Sequence, residues 1–132
     1  MKANRNVLII TDGFEETVKM AGEIATALKG NTVLVKSASE FKGNDLLPAD
    51  VFFLGCESPK PDSFEYLADL LAHINLAGRS CGVFSPAGVK TVNYLAGLVK
   101  DCEAALNPEP FLSDSAINVS IWAQSVVAGG RH

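Results

Sequence analysis

The sequence predicts a doubly wound α/β sheet: five parallel strands in the order 2-1-3-4-5, with helices on both faces. Three observations carry this. Continuous apolar runs of strand length recur along the chain, such as NVLIIT and ADVFFLG, as expected for strands covered on both faces. Most are followed by a stretch whose apolar residues repeat at helical spacing. The links between them are short and hold the Gly, Pro and Asp residues that stop or start helices.

The elements follow in order. Asn6 to Thr11 reads as the first, central strand. Glu15 to Leu28 reads as a helix with Val18, Ala21, Ile24, Ala25 and Leu28 on one face, stopped by Gly30-Asn31. Thr32 to Val35 is a second, short strand. Ser37 to Pro48 is polar and irregular. Ala49 to Gly55 is the third strand, followed by the loop Cys56 to Pro61. Asp62 is placed to cap the next helix with Glu65 as its capping-box partner. That helix turns Phe64, Leu67, Ala68, Leu71 and Ile74 inward and ends at Ala77-Gly78. Ser80 to Phe84 is the fourth strand, and Ser85 to Gly88 a tight loop. Lys90 to Lys100 is a helix with Val92, Leu95 and Val99 inward. Glu103 to Leu112 holds a short fifth strand whose pairing Pro108 and Pro110 limit. Asp114 or Ser115 caps a last helix carrying Ile117, Ile121, Trp122 and Val126. Gly129-Gly130 ends it, leaving Arg131-His132 as a tail.

The 132 residues fit one compact domain. Hydrophobic residues make up 48% and charged residues 20%, a globular composition. The net charge of −4 and the lack of Lys/Arg runs argue against nucleic acid and anionic membrane surfaces, while suiting basic protein partners. No apolar run is long enough to span a bilayer, and MKANRNVLII lacks the pattern of a signal peptide, so a cytoplasmic location is expected. The three cysteines, Cys56, Cys81 and Cys102, form no CxxC pair, which argues against zinc and against a disulfide framework. There is no GxGxxG and no P-loop. With two histidines, His73 and His132, no Ser-His-Asp or general acid–base set stands out.

In a sheet of this order ligands bind at the carboxyl ends of the first and third strands, where the strand order reverses. The loops concerned are Thr11–Thr17, Gly55–Asp62 and Ser85–Thr91. The first runs from a buried strand into a helix N-terminus, a favourable place for an anion, yet it carries Asp12, Glu15 and Glu16. Acidic residues in a first helical turn stabilise it through the macrodipole. The alternatives to that reading are a partner-facing patch and a site for a cation or a ligand without phosphate.

Taken together, these features resemble flavodoxin over nearly the whole chain. The resemblance is strongest in "ADVFFLGCESPKPDSFEYLADLLAHINLAGRSCGVFSPAG". There a third strand ends in Gly, a Phe-, Glu- and Leu-rich helix follows, and an L-x-G-[KR] link leads into an apolar fourth strand. Thr17-Val18-Lys19-Met20-Ala21 is similar to the start of the first flavodoxin helix. The resemblance implies an FMN-carrying electron-transfer protein with redox protein partners that dock a basic face. Thr11, Gly13, Phe14 and Thr17 would line the phosphate side, with Asp12, Glu15 and Glu16 in the same loop. Cys56, Glu57, Ser58 and Pro59, together with Ser85, Pro86, Ala87 and Gly88, would border the ring.

The chain departs from the family pattern at this site. In flavodoxins [ST]-x-T-G-x-T grips the phosphate. Aligned to end on Thr17, its inner Thr and Gly fall on Phe14 and Glu15; aligned to start on Thr11, its final Thr falls on Glu16. A phosphate dianion about 6 Å from a carboxylate meets repulsion of several kcal/mol at an effective dielectric of about 20. The loops expected to border the ring hold no aromatic residue, Trp122 falls on a core face, and Phe14 is the one aromatic of the site loops. A flavodoxin-fold domain that has lost FMN and serves as a binding module is therefore the alternative. VLIITDGFEE also resembles the opening of the DJ-1/PfpI superfamily, but Ser85 stands where that family's elbow Cys would be. The receiver-domain pattern needs an Asp after the third strand, where Leu54-Gly55-Cys56 stands. Cys56 is the remaining candidate nucleophile.

Overall fold

The computed structural model describes residues 5–129; the expected Arg131-His132 tail lies outside them. Strands β1 (Asn6–Thr11), β2 (Thr32–Ser37), β3 (Val51–Gly55), β4 (Ser80–Ser85) and β5 (Ala105–Leu106) are parallel and ordered β2-β1-β3-β4-β5. The expected fifth strand is split. β5 pairs with Ser80 and Cys81 at one end of β4, and a second piece, β6 (Phe111–Leu112), pairs with Phe84 and Ser85 at the other. Between them lie Asn107-Pro108-Glu109-Pro110, and a proline has no N–H to give to a ladder.

The apolar runs are buried on both faces because alternate residues serve opposite cores. Leu8, Ile10, Phe52 and Leu54 enter one cluster, with Leu67 and Leu71 of α3 (Glu65–Ala72) and Leu95 and Val99 of α4 (Val89–Cys102). Val7, Ile9, Val51 and Phe53 enter the other, with Ile24 of α1 (Glu15–Ala27) and Trp122 and Val126 of α5 (Val119–Gly129). A single turn, α2 (Gly43–Leu46), interrupts the segment expected to be irregular. Asp45 Oδ2 accepts the Lys42 N–H at 3.0 Å, and Leu46 is buried beneath it.

Several sequence expectations need correcting. Val18 and Ile121 are 44% and 64% exposed, so each helix turns a narrower face inward than its apolar pattern suggested. Asp62 does not cap α3 with its side chain: it opens a 3-10 turn, Asp62–Phe64, that leads into the helix. α3 also ends earlier, at Ala72. α5 is capped by neither Asp114 nor Ser115. Asn118 Oδ1 accepts the Ser120 N–H at 2.7 Å and the Ile121 N–H at 3.4 Å.

Two glycines set how closely the layers approach. A Cβ on Gly55 would lie 2.2 Å from the Phe84 ring, and one on Gly82 would lie 2.8 Å from Val126 Cγ2 and 3.0 Å from Trp122. Among the described residues no helix is long and apolar enough to cross a membrane.

Candidate functional site at the strand carboxyl ends

Parallel register brings three chain exits together. Thr11 pairs with Gly55, and Gly55 with Phe84, so β1, β3 and β4 end side by side. The backbone of Glu57 then ties the loops. Its N–H donates to Asp12 Oδ2 at 2.7 Å, and its carbonyl accepts from Thr91 Oγ1 at 3.1 Å. Thr91, in the first turn of α4, is buried along with Asp12. A fourth segment joins where Ser113 Oγ donates to the Pro86 carbonyl at 3.2 Å.

Within the first loop the side chains serve the backbone. Gly13 has φ +83°, a left-handed conformation that suits glycine. Its N–H donates to Thr11 Oγ1 at 3.1 Å, and the Phe14 N–H donates to Asp12 Oδ1 at 3.0 Å. The second is an Asx turn, which Asp readily forms ahead of Gly. Both Asp12 oxygens thus accept backbone N–H groups, one from its own loop and one from the next. The first bond of α1 runs from the Val18 N–H to the Phe14 carbonyl at 2.9 Å. The N–H groups of Glu15, Glu16 and Thr17 precede it and are the orphan donors of the helix start.

Thr17 sits in that turn, fully buried, and its Oγ1 has no hydrogen-bond partner among the described residues. Glu15 and Glu16 are exposed, and no side chain caps α1. They occupy the macrodipole position, while the carboxylate that meets the loop donors is Asp12. The Asp-Gly pair was the sequence signal for this turn.

The expected site residues divide by depth. Thr11, Asp12, Thr17, Cys56 and Ser85 are buried and form the floor. Gly13, Phe14, Glu15, Glu16, Ser58, Pro59 and Ala87 are exposed and form the rim, with Glu57, Pro86 and Gly88 between. Ser85 Oγ accepts the Ala87 N–H at 3.0 Å and fixes the third loop. Lys60, at φ +54°, turns the second loop between its two prolines.

Cys56 lacks the conditions for a nucleophile. Its thiol is fully buried and bonds to the Ser58 carbonyl at 3.3 Å. Burial, then the nearby charge of Asp12, pushes its pKa up to about 12, whereas a reactive cysteine needs accessible thiolate. Trp122 is a core residue: fully buried, stacked on Phe111 at 5.2 Å, its Nε1–H donating to the Glu109 carbonyl at 2.6 Å. Phe14, 50% exposed, is the aromatic at the rim.

Two grooves lie outside the loop cluster. One of about 740 Å³ runs between α1 and the start of α5, lined by Lys19, Gly22, Glu23, Thr26 and Asn118 among others. Another of about 380 Å³ borders the second loop, between Lys60–Glu65 and Tyr94 and Leu98 of α4. Among the described residues no cluster of His, Cys, Asp and Glu could hold a metal ion.

No family model matches the chain, and no curated protein matches it. Solved structures do. A flavodoxin from Streptococcus pneumoniae TIGR4 superposes with a TM-score of 0.80 at 19% identity, covering 94% of this chain and 98% of its own. A short-chain flavodoxin associated with a non-canonical PDU bacterial microcompartment gives 0.81 at 14% identity, covering 96% and 99%. The rubredoxin:oxygen oxidoreductase of Desulfovibrio gigas gives 0.72 at 15% identity, covering 97% of this chain and 36% of that larger one.

Proposed function

We propose that this chain, which has the flavodoxin fold, binds a flavin among the loops that leave β1, β3 and β4 and passes electrons between protein partners. The observation that supports this best is Thr17. A buried hydroxyl with no partner costs about 1–3 kcal/mol. Thr17 lies in the first turn of α1, whose leading N–H groups have no intrahelical partner, so this turn is where a ligand tail would find donors. The donors around it fit such a tail in part. The N–H groups of Glu15, Glu16 and Thr17 can meet oxygen atoms, whereas the Asp12 carboxylate does not favour a phosphate.

When bound, the flavin supplies the redox chemistry. The protein's own residues would orient and shield it. Asp12 and Thr91 hold the Glu57 backbone still, so the second loop presents a fixed wall. Ser85 does the same for the third loop through the Ala87 N–H. FMN is the flavin that the resemblance implies. Exposed Glu15 and Glu16 flank exposed Phe14 at the rim, an arrangement that suits a partner with a basic docking face.

The test is direct. The purified protein is examined for flavin absorbance, stripped, and titrated with FMN and riboflavin while flavin fluorescence is followed. Saturable quenching at micromolar flavin supports the reading; no quenching by either at tens of micromolar would end it. One observation favours a second reading, a binding module without flavin: neither ring-side loop carries an aromatic side chain. Loss of both flavin signals would leave that reading standing.

A further inference from the structure

We infer that Asp12 is a built-in anion in the ligand cradle, and that the site therefore selects a flavin with a free ribityl hydroxyl end, riboflavin, over its phosphate ester, FMN. This rests on the flavin reading above and deepens it. The end of β1 and the start of α1 offer backbone N–H groups, the usual means of holding an anion. Here the chain supplies the anion itself. Asp12 is 7% exposed, and its two oxygens take the N–H groups of Phe14 and Glu57. Thr11 Oγ1 takes the N–H of Gly13.

The donor and acceptor character of what remains points the same way. A carboxylate only accepts hydrogen bonds, and so does a phosphate dianion. Set beside Asp12, a phosphate gains no bond from it and meets its charge at close range. A hydroxyl group carries no charge for Asp12 to repel and can still accept from the first-turn N–H groups. A neutral polyol end is thus compatible with the Asp12 charge, and a phosphate end is not. Exposed Glu15 and Glu16 add charge of the same sign nearby. The influence of Asp12 reaches further, since its charge helps to keep the Cys56 thiol protonated.

The experiment compares riboflavin and FMN by fluorescence titration at low ionic strength, with the wild-type chain, Asp12→Asn and Asp12→Ser. For the wild type, riboflavin should bind at least about tenfold more tightly than FMN. Both variants should tighten FMN by about tenfold or more and leave riboflavin unchanged or weaker. Asp12→Asn keeps an acceptor for a loop N–H, so it carries the test if Asp12→Ser does not fold. A wild type that prefers FMN, or treats the two alike, overturns the inference. So do variants that move both affinities by the same factor, because that is the mark of a purely structural Asp12. If none of the three proteins binds either flavin, the flavin reading fails and this one with it; if flavin binds with FMN preferred, only this one fails.

Discussion

Asp12 and Cys56 show how burial decides what a side chain can do. Cys56 looks in sequence like a loop cysteine open to chemistry, but it is fully buried. Its thiol ionises near pH 9.0 when exposed and near 12 in the fold, because burial and then Asp12 disfavour the thiolate. Between those values the unfolded chain has lost a proton that the native chain keeps, so stability falls as pH rises through that window. Urea melts at pH 8 and 10.5 should show a loss on the order of 1–2 kcal/mol from this thiol, absent in Cys56→Ala. An identical pH slope in the variant would contradict the assignment. Glu15 and Glu16 act at the residue scale too, but from solvent. Replacing them with Asn and Thr should tighten FMN by roughly threefold at low salt, an advantage that 0.5 M salt removes. A salt-independent gain would mean that these carboxylates face the ligand.

At the scale of elements, the strands were legible because a central parallel strand must be apolar on both faces, and NVLIIT and ADVFFLG have no other reading of strand length. What was not legible has physical causes. α2 spans four residues, too few for any periodicity to show. The start of α5 was misplaced because Asp114, Ser115 and Asn118 are all good caps, and only the fold selects Asn118. Asn118→Ala should cost about 1 kcal/mol, whereas Asp114→Ala should cost nothing measurable in a thermal melt. α4 is followed by Glu103 as its C-cap at φ +66°, which costs a non-glycine residue about 1 kcal/mol. Glu103→Gly should therefore raise the melting temperature slightly. Gly82 is the opposite case: Gly82→Ala drives a methyl into Val126 and Trp122 and should cost about 1–3 kcal/mol.

For the whole molecule, the order of the strands brings the three loops to one end, and the sequence was enough to name them. It could not show that the backbone of one residue, Glu57, is a tie between them, since that depends on Asp12 and Thr91 both reaching it in space. Nor could it show that Thr17 is the buried hydroxyl left without a partner. The exposed pair Glu15 and Glu16 beside Phe14 belongs to this scale as well. If it docks a basic electron-transfer partner, the association rate should fall severalfold between 50 and 300 mM salt in stopped-flow measurements. A flat salt dependence would argue that partners meet another surface.

Amide chemical-shift mapping of a labelled sample during riboflavin and FMN titrations tests directly whether flavin binds at the strand carboxyl ends. Gly13, Phe14, Thr17, Glu57 and Ala87 should shift together and saturably. Gly22, Thr26 and Ser120, in the groove between α1 and α5, should stay in place. Shifts confined to that groove, or no shifts with either flavin, would contradict binding at the strand ends.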